Sequence, residues 1–225
     1  MNKQIKFIDG EMVEYEILPL VDSYDPILRK PTKPIDFEQM PGARVAYIGM
    51  SLIESCNHHG GLGLSANQVG FEHSVCVVTD IESNTLFCLI NPTIVEMSSE
   101  TSDLKEGCLS FPGLLLKINR PSWVTIDFQA FNGQVVRKTF TGIMATCVLH
   151  ELDHLRGICF TDRVSPITLE KERRKVKANL KKMKKATTEG IQVVNPPEEL
   201  PVAAAEVPEK AAKPKTKRSR KKKTS

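Results

Sequence analysis

His150-Glu151-Leu152-Asp153-His154 closes an apolar run with the pattern H-E-x-x-H. Residues four apart on a helix stand one turn above each other on one face, so His150 and His154 can present two imidazoles to a single metal ion. Glu151 reaches the same cavity as a proton acceptor, and the three together suit metal-assisted hydrolysis. The plainer alternative is an amphipathic helix end that carries two histidines by chance. Thr141 and Gly142 can open such a helix, Ile143 to Leu149 carry it unbroken, and Gly157 stands where a C-terminal stop is expected.

Two histidines leave a catalytic metal one ligand short of the usual three, with a further position kept for water. Glu170 and Glu172 downstream offer carboxylates, but on a stretch crowded with cations. Cys108 is better placed chemically, in the Gly-flanked segment Glu106-Gly107-Cys108-Leu109-Ser110 between expected strands, and coordination deprotonates a thiol outright.

Stepping outward, Val45 to Asn57 fits a helix, which His58, His59, Gly60 and Gly61 close; the paired histidines read as a solvated loop. The segment Gly61 to Gly70 is rich in small residues that let another backbone approach. Its glycines are misplaced for a dinucleotide loop, and no acidic ribose partner follows. Strands are expected at Ile17 to Val21, His73 to Thr79, Thr85 to Ile90 and Thr93 to Met97, with a polar loop at Ser98 to Asp103. Val124 to Ala130 and Gln134 to Thr141 flank Phe131-Asn132-Gly133, a hairpin signal. A helix from Thr168 to about Thr188 carries the narrow apolar stripe Leu169, Val176, Leu180 and Met183. Strands in the middle and the motif helix after them predict an α+β domain, with that helix packed on a largely antiparallel sheet.

The 225 residues, 40% hydrophobic, suffice for one domain with a proper core. No apolar run approaches about 18 residues and no charged start precedes an apolar stretch, so a cytoplasmic protein without membrane contact is expected. The six cysteines are then expected to stay reduced. Of the net charge of +4, nine basic residues lie between Lys210 and Ser225, so the rest of the chain is net acidic. Beyond Gly190 the Pro, Ala, Glu and Lys composition predicts a disordered tail, which divides the chain into a domain of residues 1–190 and a tail of 191–225.

Three motifs, Gly61 to Gln68, Glu106 to Ser110 and Leu149 to Gly157, together resemble the peptide deformylases in order and separation. The resemblance spans about residues 15 to 185 and implies that family's fold, small mostly antiparallel sheets around a central metal-binding helix. It implies hydrolysis of the N-formyl group from the initiator methionine of N-formylmethionyl nascent peptides, releasing formate. Cys108, His150 and His154 would bind one divalent metal ion, Fe²⁺ in typical relatives, with Zn²⁺, Ni²⁺ or Co²⁺ able to replace it. Glu151 would be the general base, and the Gln68 amide with the Leu109 backbone N–H would be the oxyanion donors. Helix geometry puts Ile143 and Cys147 on the face of His150, and with Leu62 and Gly63 from the glycine loop they are candidates for the methionine pocket. The basic C-terminal helix resembles the family's ribosome-docking element, so a ribosome contact through it and the tail is a further expectation. Ser65, Leu149 and Leu115 depart from the family pattern, and Ser65 puts a hydroxyl near the substrate-facing backbone. A metallopeptidase, or an RNA-binding factor on an inactive hydrolase scaffold, are the rival readings.

Overall fold

A computed structural model describes residues 4–8, 11–81, 83 and 85–190. The chain divides into two units, Met1–Lys184 and Lys185–Ser225, and the cores and the site belong to the first. The expected tail at 191–225 lies outside the described residues.

The central sheet has the strand order β3-β4-β5-β8-β9, with β3 at Gly63–Ser65, β4 at Val75–Asp80, β5 at Thr85–Met97, β8 at Trp123–Gln129 and β9 at Val135–Thr141. All its pairings are antiparallel. Successive strand residues face opposite sides, and Val75 to Val78 is buried at every position because β4 carries a core on each face. Val75 and Val77 pack with Val45, Ile48 and Leu52 of helix α1 (Gly42–His59). Cys76 and Val78 pack with Ala145, Val148 and Leu152 of helix α2 (Gly142–Leu155), the motif helix. The sheet is thus held between two helices, in an α+β fold.

A third cluster joins Leu114, Leu116, Ile118 and Phe160 to Leu169 and Val176 of helix α3 (Pro166–Gly190). Only the first half of the expected stripe is packed, since Leu180 and Met183 are 53% and 66% exposed. The underlying two-stranded sheet, β6 (Thr101–Glu106) with β7 (Leu116–Pro121), takes over the second half of the expected polar loop. Its inward positions on β6 include Ser102 and Glu106, which hide the alternation from a hydrophobicity reading.

Other boundaries shift for identifiable reasons. Ile17 to Val21 forms no strand, because its backbone bonds to side chains of α1 instead of a ladder, Leu18 N–H donating to Ser55 Oγ at 2.8 Å. The hairpin β1 (Gln4–Ile8) with β2 (Glu11–Tyr15) precedes it. Asn91-Pro92 does not end a strand: β5 runs through it with a register shift between Ile90 and Thr93. Asn91, at φ 50°, bridges Ile35 and Gln129 with its amide there. His58 and His59 lie in the last turn of α1, not in a loop.

Candidate active site

Helix α2 is buried on nearly all sides from Ala145 to Leu155, so its polar residues enter the interior with their charges committed. His150 and His154 sit one turn apart with ring centroids 5.0 Å from each other. The turn after β6 delivers Cys108, whose Sγ lies 3.2 Å from His154 Nε2. Donor atoms of Cys108, His150 and His154 all fall within 4.8 Å of one another. Glu170 and Glu172 are taken up elsewhere, paired along α3 with Arg174 and Lys175.

His150 Nδ1 shares a 2.8 Å hydrogen bond with Glu106 Oε2, which commits that nitrogen and leaves Nε2 as the lone-pair donor. Glu106 is fixed in turn by Arg120, whose Nε and Nη2 reach its two oxygens at 2.7 and 2.9 Å. Arg120 Nη1 also donates to Asp153 Oδ2 at 2.7 Å, and Arg163 holds Asp153 from the far side. Asp153 is thus held by two arginines, while Glu106 orients His150 and ties the Cys108 turn to the helix. Burial pushes the Glu106 carboxyl up, but Arg120 and His150 outweigh it and hold it below the usual range. Arg120 is absent from the expected site, although an arginine on the inward side of the Leu116, Ile118, Arg120 alternation signals a buried charge in need of partners.

Burial pushes both imidazoles toward neutrality. Hydrogen bonding to Cys108 and Glu106 overrides it at His150, which is raised to about 10, whereas His154 is held well below the ordinary histidine value. A divalent ion bound here would compete with the proton on His150. One thiol and two imidazoles, one of them oriented through its second nitrogen, fit a transition-metal ion.

Glu151 is 3% exposed, and burial raises its carboxyl above the usual value against the opposing pull of His150 and Ser65. Its Oε2 accepts a 2.7 Å hydrogen bond from Ser65 Oγ. Gly63 supplies the room: a Cβ there would stand 2.5 Å from Glu151 Oε1 and 2.9 Å from Cys147 Sγ. Gln68, 1% exposed in the turn after β3, accepts from the Ser65 backbone N–H at 2.9 Å. Its Nε2 donates toward Cys108 Sγ at 3.4 Å and Ser110 Oγ at 3.1 Å, so the glycine loop and the cysteine turn meet over the helix. Asn67 Nδ2 donates to the His154 carbonyl at 2.6 Å.

These groups open into a cavity of about 500 Å³ lined by Leu62, Gly63, Gln68, Cys108, Leu109, Ile143, Cys147, His150 and Glu151. His154 is fully buried behind it. Leu62, Leu115 and Ile143, 47%, 56% and 54% exposed, give the cavity an apolar rim. Leu114 and Leu116 turn inward to the third core, and Leu149 faces the second core.

Compared with known protein families, residues 17–170 match the one described as Polypeptide deformylase. The chain belongs to the polypeptide deformylase family. The peptide deformylase of Synechococcus sp. (strain RCC307) is 39% identical over 142 residues, which cover 61% of this chain and 69% of that one. The crystal structure of the Thermotoga maritima peptide deformylase is 34% identical, with a TM-score of 0.62 over 67% of this chain and 99% of that one. That of the class I type b enzyme from Acinetobacter baumannii, bound to Met-Ala-Ser, is 27% identical, with a TM-score of 0.62 over 66% and 99%. As a deformylase the chain is a hydrolase of protein biosynthesis that removes the N-formyl group from newly made polypeptides. The family is metal-dependent, and the Cys-His-His cluster is where this chain can meet that need.

Proposed function

We propose that Cys108, His150 and His154 hold one divalent metal ion and that Glu151 is the base that works beside it. The observation that carries this is the convergence of the three donors behind a cavity that Cys108, His150 and Glu151 line. When bound, such an ion supplies Lewis acidity, polarising a carbonyl and lowering the pKa of water from about 15.7 toward neutrality.

The protein's residues do the rest. Glu151 takes a proton from water as the water oxygen bonds to the formyl carbon. The charge that gathers on the former carbonyl oxygen is met by the Gln68 amide and the Leu109 N–H. Glu151 then returns its proton to the amide nitrogen as the carbon–nitrogen bond breaks, and formate and a free α-amine leave. A base serves best when its pKa lies near the working pH, and the upward push of burial on Glu151 is in that direction. Formate release from formyl-Met-Ala-Ser, abolished by chelation and restored by added metal, tests this assignment; turnover that survives full demetallation would refute it.

For the ion itself the assignment is Fe²⁺, on the resemblance of the three motifs, since imidazole and thiolate suit Zn²⁺, Ni²⁺ and Co²⁺ as well. Metal analysis after anaerobic purification decides among them.

Leu62, Gly63, Ile143 and Cys147 are assigned to the methionine side chain. All four line the cavity, which supports this, as does the methionine-led peptide bound by the Acinetobacter baumannii enzyme. Cys147→Phe should raise KM for formyl-Met peptides at least tenfold while Tm changes little; a fall in Tm without a selective KM effect would make Cys147 plain core.

Nascent chains as substrates support a reaction in the cytoplasm, close to the ribosome. Among the described residues no helix is long and apolar enough to cross a membrane. Lys171, Arg173, Lys177, Lys181 and Lys182 are exposed on α3, and a cationic face attracts RNA phosphates with steep salt dependence. Truncation after Gly190 should leave kcat on a short formyl peptide unchanged and weaken ribosome binding at low salt. Equal binding by both forms across a salt series would remove the tail from docking.

A further inference from the structure

We propose that Ser65 is a positioning residue for Glu151, fixing which carboxylate oxygen faces the reacting water. The proposal rests on Glu151 being the base. Ser65 stands where alanine is usual in the motif that this segment resembles.

That hydroxyl does not line the cavity toward substrate. Ser65 is fully buried, and its Oγ lies 2.7 Å from Glu151 Oε2 and 3.0 Å from the Glu151 carbonyl oxygen. A hydroxyl has one proton, and the carboxylate oxygen is both the nearer and the more highly charged acceptor. The second oxygen, Oε1, is the one that lies against Gly63 in the cavity wall. The two oxygens of Glu151 are therefore unequal: Oε2 is anchored in the protein and Oε1 faces the space that glycine keeps open. A carboxylate tethered through one oxygen cannot rotate about its last bond without losing that bond, so Oε1 is held ready for the water proton.

Ser65 also connects the base to the oxyanion donor. Its backbone N–H donates to Gln68 Oε1 at 2.9 Å, which turns the Gln68 Nε2 toward Cys108 and Ser110. One strand residue thus sets the base through its side chain and the amide through its main chain. Ser65→Ala cuts the first link and leaves the second, because the backbone bond does not depend on the side chain.

The test is Ser65→Ala in the metal-loaded full-length enzyme with formyl-Met-Ala-Ser. Small misplacements of a catalytic group cost up to about a hundredfold in rate, and loss of one tether should lower kcat about tenfold. KM should stay within about twofold, because no substrate contact is removed. Metal content should be unchanged. The same substitution in a Glu151→Gln background should have no further effect on residual turnover, since a group that acts only through Glu151 has nothing left to position. An unchanged kcat in Ser65→Ala would overturn the proposal. So would a loss of metal with the loss of rate, or an equal loss in the Glu151→Gln background, both of which mark a merely structural hydroxyl. Full activity in Glu151→Gln alone would instead overturn the assignment of the base, so the two failures are told apart.

Discussion

Glu151→Ala should bind metal as the wild-type chain does and release formate about 10²–10⁴-fold more slowly, the range over which a positioned general base acts. Ala at Cys108, His150 or His154 should give the opposite pattern, with the metal lost and turnover lost with it. The contrast follows from the geometry of α2. Three donor atoms gather on one point, whereas the Glu151 carboxylate is engaged by Ser65 on one side and packed against Gly63 on the other. Elemental analysis and single-turnover formate release on each purified variant would check it. A Glu151→Ala enzyme with normal metal and normal turnover would end the proposed mechanism. Burial also means that the alanine variant leaves no stranded partner charge, since Ser65 is neutral, so the fold should tolerate it.

Arg120→Ala should be the most destabilising substitution in the site, at about 3–5 kcal/mol, because removing the cation shared by a buried ion network leaves Glu106 with His150 alone and Asp153 with Arg163 alone. Arg120 and its partners Glu106 and Asp153 have side chains no more than 5% exposed, so water cannot take over the lost hydrogen bonds. Metal affinity should fall as well, by about 10–100-fold, because Glu106 loses the group that aims it at His150 Nδ1. Urea unfolding of wild type and variant gives the first quantity and a competition titration with a chelator gives the second. A stability change below about 1 kcal/mol would mean that the network is relieved by solvent after all.

The Glu106 and Arg120 pair also shows why one element of the site was hard to read in the chain. A strand is recognised by apolar alternation, and β6 offers Ser102, Leu104 and Glu106 on its inward side, two of them polar. The segment therefore reads as a loop, and Arg120, on the strand β7 opposite it, is given no role. Their burial is an outcome of pairing across the β6 and β7 ladder, where Glu106 stands opposite Leu116. Asn91-Pro92 misleads in the other direction: a proline pair marks a break locally, yet the amide of Asn91 bridges two neighbouring segments and carries β5 through a bulge.

What the sequence by itself determined is what depends on local periodicity. His150, Glu151 and His154 share a helix end because residues three and four apart must share a face, and the buried run of β4 follows from four consecutive apolar residues. The resemblance of three motifs added the family and its reaction, and it agreed with Cys108 as the third ligand. Tertiary structure alone decided the contacts between distant segments, which no local rule contains: that Glu106 orients His150, that Arg120 joins both carboxylates, and that the Ser65 hydroxyl turns to Glu151. The physical reason is that a buried polar group must find its partner wherever the packed chain brings one, and in this chain those partners come from strands and turns far from α2 in sequence.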